Sequence, residues 1–144
     1  MTKSEKAVQC FNNGFNCSQA VFSVYSEQFD VNTELGLKTA SGFGAGMGRQ
    51  CETCGAVSGA YMIIGLKYGH ITADDKEGKE KAYSMIREFA KRFKERNQST
   101  NCEQLLGTHL ITGDKEKVAL RVKEVCPKMV QDAAEILDEL LMGN

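Results

Sequence analysis

Apolar residues recur three and four positions apart along most of this chain, which is the spacing of one face of an α-helix. The clearest case is residues 72–97, where an otherwise charged segment carries one apolar stripe: Ala82, Ile86, Phe89, Ala90 and Phe93. No stretch alternates as a half-buried strand does, because the one β-branched cluster lies inside a helical pattern. The sequence therefore predicts an all-α fold, a single-domain bundle of six to seven helices over residues 1–144.

Capping residues and turn signals divide this pattern into separate helices. Asparagine caps open segments after Asn16, Asn32 and Asn101, and a capping box is expected to begin with Thr72. Pro127 favours the first position of a last helix, which would make Cys126 its cap residue. The predicted helices cover residues 3–12, 17–29, 33–40, 52–68, 72–97, a short segment from 102, 115–125 and 128–142.

Alternate glycines in residues 41–48 predict a flexible loop before the central helix, because no ordinary helix continues through such a run. The run does not fit a phosphate-binding loop, since it lacks the Gly-Lys-Ser/Thr ending and the Gly-x-Gly-x-x-Gly spacing. Within the central helix, Gly55 and Gly59 lie four residues apart and would let a neighbouring backbone approach closely. Gly69 is expected to end that helix in the left-handed conformation.

Charge and the length of the apolar runs argue against several partner classes and locations. Eighteen basic and nineteen acidic residues give a formal net charge of −1, which favours neither nucleic acid nor an anionic membrane surface. The longest apolar run, residues 60–66, is much shorter than the roughly 20 residues of a membrane-spanning helix, so membrane insertion is not expected. The first ten residues lack the apolar region of a secretory signal, which predicts a cytoplasmic protein.

Six cysteines are more than structure alone requires in a reducing compartment, where thiols tend to be metal ligands or redox groups. Four of them fall in the first turn, or at the cap, of separate predicted helices: Cys17, Cys54, Cys102 and Cys126. Unpaired N–H groups and the helix dipole stabilise a thiolate at such a position and lower its pKa below the free value of about 8.5. If these helix ends converge, the four thiols form one site.

The other candidate residues are less informative. Cys10 lies on an apolar helix face and is expected to be a core residue, whereas Cys51 either resolves Cys54 or has no role in the site. His70 and His109 are expected at the surface, and His109 could instead support the thiols because it follows Cys102 by seven residues. The basic residues 91–96 are expected to form the solvated face of a helix.

The chain resembles the C_GCAxxG_C_C family, small bacterial and archaeal proteins that are named redox-active on the basis of their cysteines. The resemblance covers nearly the whole chain and rests on residues 16–21, 48–59 and 101–107 together with Cys126. The family label places a glycine before the central cysteine, where this chain has Thr53. The resemblance implies a redox role for four residues: Cys17, Cys54, Cys102 and Cys126.

Two functions remain open from the sequence. In the first, the protein is a thiol–disulfide oxidoreductase or redox carrier with a small-molecule or protein thiol or disulfide as its partner. Cys54 then supplies the attacking thiolate, and Cys51, Cys17, Cys102 or Cys126 resolves the intermediate. In the second, the same four cysteines bind zinc or an iron–sulfur cluster. The long separations between the cysteines favour redox thiols slightly over a compact metal motif.

Overall fold

The computed structural model describes residues 1–142, and within them the chain forms an all-α bundle, as predicted. Its one contact of the β type is a single antiparallel bridge between Thr53 and Asn101. No helix in this range is both long and apolar enough to cross a membrane. The seven right-handed helices are α1 (Lys3–Asn12), α2 (Cys17–Ser26), α3 (Thr33–Ala40), α4 (Gly55–Tyr68), α5 (Lys76–Asn97), α6 (Cys102–Leu106) and α7 (Lys115–Met142).

Side-chain caps fix the starts of the first three helices and of α6. The side chains of Asn16, Asn32 and Asn101 each accept a hydrogen bond from a backbone N–H three residues on, as the sequence predicts. Asn16 forms a complete capping box with Gln19, whose side chain accepts from the Asn16 N–H at 3.1 Å. Local capping therefore fixes the first residues of α2 and α6, and both of those residues are cysteines.

The core is built on α2 and α4, which pack against each other more extensively than any other pair of helices. A Cβ atom at Gly59 would lie only 2.9 Å from the Ser18 carbonyl oxygen, so the glycine is needed for this close approach. The predicted contact of small residues is thus confirmed. Phe89 of α5 stacks on Phe93 and meets the edge of Tyr61 at a centroid distance of 5.8 Å, which closes the core on one side.

Ion pairs join α5 to α7 at the surface of the bundle. Arg96 of α5 contacts Asp132 at 3.1 Å and Glu135 at 2.7 Å, both on α7. Lys128, on α7 itself, also contacts Asp132 at 2.6 Å. The buried Asp132 carboxylate also accepts a hydrogen bond from Asn97, and these partners keep its pKa below the usual range despite its burial. Part of the basic segment 91–96 therefore connects two helices in addition to facing solvent.

The prediction that Cys126 caps a last helix is wrong, because α7 continues through Pro127 as one helix. Proline costs about 3 kcal/mol inside a helix, since it removes one backbone hydrogen bond and crowds the preceding turn. Contacts on both sides of the proline offset that cost. Val122 packs on the cluster around Cys102, Met129 belongs to the main core, and the Arg121 guanidinium donates to the Leu106 carbonyl at 2.7 Å.

Three further helix ends differ from the prediction. The central helix begins at Gly55 rather than residue 52, because the Cys54 N–H donates to the Thr100 carbonyl at 2.8 Å in the bridge to the neighbouring segment. Gly69 is extended, with φ −63° and ψ 141°, and not left-handed. The cap of α5 is Asp75, whose carboxylate accepts from the Gly78 N–H, and not Thr72.

The glycine-rich segment is ordered into specific turns, where the sequence predicts a flexible loop. After a 3₁₀ turn at Ser41–Phe43, five consecutive residues from Ala45 to Arg49 have positive φ values between 58° and 70°. They form a short turn of left-handed helix, which is costly for residues other than glycine. Such backbone strain is found mainly where a functional site requires it, and this turn lies against the cysteines.

Candidate thiol site

The beginnings of α2, α4 and α6 meet against the middle of α7 around an apolar cavity of about 260 Å³. Four cysteines line it, and they are the four that the sequence selects: Cys17, Cys54, Cys102 and Cys126. Three of them lie at helix starts, as predicted, and Cys126 projects from the interior of α7. The fold therefore gathers thiols that are separated by up to 109 positions in the sequence.

Cys17 and Cys54 form the central thiol pair. Cys17 is the first residue of α2, Cys54 is the cap residue of α4, and both are buried. The Cys54 thiol acts as a hydrogen-bond donor to the Cys17 sulfur and lowers the pKa of Cys17 to about 6, against the opposing effect of burial. The same interaction raises the pKa of Cys54 well above its ordinary value. The interaction therefore favours deprotonation of Cys17 over deprotonation of Cys54.

The backbone around this pair favours negative charge on Cys17. The N–H groups of Ala45, in the left-handed turn, and of Ala56, in the first turn of α4, both lower the pKa of the Cys17 thiol. A Cβ atom at Gly55 would lie 2.7 Å from Cys17 Sγ, so only glycine leaves room for the sulfur at this helix start. The left-handed turn and Gly55 thus position the donors around one thiolate.

Cys51 and Cys102 form a second pair beside the first. The Cys102 N–H donates to the Glu52 carbonyl at 2.6 Å, which holds the two short segments together. A Cβ atom at Gly46 would lie 2.7 Å from both Cys51 Cα and Cys102 Cβ, so these two atoms lie within twice that distance of each other. The Leu110 N–H also points at Cys51 Sγ, at 3.2 Å. Cys51 is therefore part of the thiol cluster, although its sequence position left this undecided.

Burial favours the protonated thiol at Cys102 and at Cys126. It is the main cause of the raised pKa of Cys102, followed by the proximity of Cys51. Burial also raises the pKa of Cys126 to about 12, and the charge of Cys17 adds to the effect. The predicted helix-start stabilisation does not act on Cys126, because this residue lies inside α7. Within the central pair the lowered pKa belongs to Cys17 and the raised pKa to Cys54, whereas the sequence made Cys54 the preferred nucleophile.

The remaining candidates lie away from the cavity lining. Cys10 packs against the main core from α1, and burial raises the pKa of its thiol. His109 Nδ1 accepts from the N–H groups of Ile111 and Thr112, so its ring shapes a turn, and His70 is exposed. Among residues 1–142, no three His, Cys, Asp or Glu side chains converge on one metal-ion position.

Two contributors to the site were not predicted from the sequence, Ala45 and Arg49. Ala45 supplies a backbone N–H through a left-handed conformation that alanine does not favour, so its residue type carries no signal. Arg49 lines the cavity and was included only as part of the family-like segment. The alternating glycines beside them were the one available indication of unusual backbone in this segment.

One of three comparisons with known proteins found a match. A family model described as "Putative redox-active protein (C_GCAxxG_C_C)" matches residues 15–140, a range that contains all five cysteines of the cluster. No curated protein and no solved structure matches the chain. Since the family match extends over most of the sequence, the resemblance is confirmed. The chain belongs to the C_GCAxxG_C_C family.

Proposed function

We propose that the protein is a thiol–disulfide redox protein in which Cys17 is the nucleophile and Cys54 the resolving thiol. The observation that carries this proposal is the buried Cys17–Cys54 pair, in which the pKa of Cys17 is lowered to about 6. A thiol with that pKa is mostly thiolate at neutral pH, and the thiolate is the form that attacks disulfides. The cavity gives a small disulfide access to this pair.

The reaction transfers two electrons from the protein to the substrate. The Cys17 thiolate attacks one sulfur of the substrate disulfide, whose S–S bond breaks as a mixed disulfide forms with Cys17. The departing half leaves as a thiolate and takes the proton of the Cys54 thiol. The Cys54 thiolate then attacks Cys17 Sγ, which forms the Cys17–Cys54 disulfide and releases the second half as a thiolate. A dithiol partner returns the protein to its reduced state by the reverse exchange.

The second pair, Cys51 and Cys102, is close enough to form a disulfide of its own and so supports this chemistry. Cys51 and Cys102 are close enough for exchange with each other, and Cys51 is three residues from Cys54. The raised pKa of Cys102 keeps its thiol inactive at neutral pH, so the first attack falls to Cys17. If the first disulfide is passed on, the Cys51–Cys102 dithiol reduces it by exchange: the Cys17–Cys54 bond breaks, a Cys51–Cys102 disulfide forms, and both thiols of the first pair are restored.

A second candidate is an iron–sulfur cluster in the same cavity. The observation that favours it is the arrangement of Cys17, Cys54, Cys102 and Cys126 around an apolar space rather than around a point. Four cysteines are the common ligand set of such clusters, which transfer single electrons. Zinc fits this arrangement less well, because a single ion needs four ligands at about 2.0–2.3 Å from one position.

One experiment tests the thiol reaction residue by residue. Anaerobically reduced protein is mixed with bis(2-hydroxyethyl) disulfide, quenched by alkylation and weighed by intact mass spectrometry. In wild type, two thiols are expected to become protected from alkylation. Cys17→Ser should not show this rapid reaction, and Cys54→Ser should stop at the mixed disulfide. Cys10→Ser is the matched control and should behave as wild type. Rapid loss of two thiols in Cys17→Ser would refute the proposed roles.

The cluster candidate has a separate test. Protein purified without oxygen is analysed for iron, acid-labile sulfide and visible absorption, and the same measurements are made on Cys126→Ser. Cys126 is informative because the dithiol mechanism does not use it, whereas a four-cysteine cluster does. Near-stoichiometric iron that Cys126→Ser loses would favour the cluster, and colourless, iron-free protein would favour the dithiol.

A further inference from the structure

The walls of the thiol cavity are almost entirely apolar apart from the cysteines. The side chains of Phe11, Leu105 and Met129 are among those that line it, and the one neutral polar residue is Asn16. Both ends of the Asn16 amide are already bonded, Oδ1 to the Gln19 N–H and Nδ2 to the Ser41 carbonyl. An apolar molecule would therefore lose little by entering this space.

Arg49 is the single charged residue of the cavity lining. Its side chain is exposed and makes no ion pair within residues 1–142, whereas Arg92, Arg96 and Arg121 are all paired with carboxylates. The Arg49 backbone has φ 70°, a left-handed conformation that costs energy in any residue with a Cβ atom. An unpaired arginine is thus held at a strained position beside the reactive thiols.

From this juxtaposition of one unpaired guanidinium, an apolar cavity and the Cys17–Cys54 pair, we propose that the substrate is a small disulfide with an aliphatic body and a carboxylate. This proposal rests on the proposed thiol–disulfide function and names its substrate class. The guanidinium of Arg49 binds the carboxylate, since its planar N–H groups match the two carboxylate oxygens. The aliphatic part enters the cavity and brings the S–S bond towards Cys17.

The size of the cavity limits the substrate to a small molecule. Its volume of about 260 Å³ lies below the range of about 300–1,000 Å³ that is usual for sites of drug-sized ligands. A folded protein surface could not bring its disulfide into such a space, since four of the cysteines in the cluster are buried. The small cavity and the burial of the thiols therefore favour a low-molecular-weight disulfide over a protein disulfide as the substrate.

The test compares two probes that differ only in charge, 4,4′-dithiodibutyrate and its uncharged amide, 4,4′-dithiodibutyramide. The rate at which each oxidises reduced protein is measured by stopped-flow mixing, alkylation and intact mass. Wild type is expected to react about tenfold faster with the carboxylate, the size of effect that a charge-assisted hydrogen bond supplies. Arg49→Gln should reduce this preference to less than about threefold, and Arg49→Lys should retain part of it.

A matched control separates local recognition from net charge. Arg87→Gln removes one positive charge from an exposed position on α5, where, within residues 1–142, Arg87 pairs with Glu80 alone. It should keep the full preference for the carboxylate probe. Equal rates for both probes in wild type, or an unchanged preference in Arg49→Gln, would overturn the substrate assignment and leave the thiol function intact. Failure of both probes to oxidise Cys17 would overturn the substrate assignment together with the proposed function.

Discussion

Replacing Gly55 by alanine is expected to disturb the thiol pair more than any other single-methyl change in α4. The added Cβ would lie 2.7 Å from Cys17 Sγ and 3.1 Å from both the Gly44 Cα and the Ser18 nitrogen. The last two neighbours are backbone atoms and cannot rotate away. The start of α2 must therefore move, and Cys17 moves with it.

Two opposing effects decide the size of the change in the free energy of unfolding. Alanine is favoured over glycine inside a helix by up to about 1 kcal/mol, although less at the first position. Overpacking of a closely packed core costs about 1–3 kcal/mol. The overpacking cost is larger, so Gly55→Ala should destabilise the protein by about 1–2 kcal/mol. Gly65→Ala is the matched control on α4, because its Cβ would meet no atom within 4 Å.

Urea unfolding and the pH dependence of iodoacetamide alkylation provide the two measurements. Gly65→Ala should stabilise the protein by about 0.5–1 kcal/mol and leave the Cys17 pKa near 6. Gly55→Ala should lower the free energy of unfolding and raise that pKa, because the sulfur leaves its N–H donors. If Gly55→Ala is as stable as Gly65→Ala and the alkylation pKa of Cys17 is the same in both variants, that result would contradict the close approach of α2 and α4 at Gly55.

Three further predictions concern the pKa of Cys17 and the ion pairs of Asp132. Cys54→Ala removes the donor to the Cys17 sulfur and should raise the alkylation pKa of Cys17 from about 6 towards the free value of about 8.5. Cys10→Ala should leave that pKa unchanged. Because the folded pKa of Cys17 lies below the unfolded value of about 8.5, its contribution to stability is fully present above the unfolded value and is lost as the pH falls through 6. Urea midpoints between about pH 6 and 8.5 should therefore rise with pH, and this rise should be lost in Cys17→Ala. At higher pH the raised pKa values of Cys54, Cys102 and Cys126 act in the opposite direction. Asp132→Asn removes the buried carboxylate that pairs with both Lys128 and Arg96, and should cost about 1–3 kcal/mol in urea unfolding. Glu34→Gln, in an exposed pair, should cost less than about 0.5 kcal/mol, and equal costs would contradict the argument from burial.

The helices and three of the site cysteines were predictable because their signals are local. An asparagine side chain that accepts a backbone N–H fixes the start of its own helix, so Asn16 and Asn101 place Cys17 and Cys102 without reference to the rest of the fold. The helical spacing of apolar residues likewise identifies the core faces of α5 and α7. These features depend on neighbours three or four residues away, which a single sequence records directly.

The features that were not predicted depend on distant contacts. Pro127 resembles a helix start by local rules, yet packing against α6 and the core continues α7 through it. The left-handed turn that includes Ala45 and Arg49 opposes the preferences of its own residues, and surrounding contacts alone hold it. The pairing of Cys17 with Cys54, and of Cys51 with Cys102, is likewise set by helix packing that sequence spacing does not contain.

The most direct test of the central claim is the connectivity of the first disulfide that forms. Reduced protein is oxidised with less than one equivalent of a disulfide, alkylated under acid conditions, digested without reduction and mapped by mass spectrometry. The account predicts a Cys17–Cys54 cross-link as the first product, with Cys10 and Cys126 still free. A first cross-link that leaves Cys17 free would contradict the claim that Cys17 and Cys54 are the reactive pair.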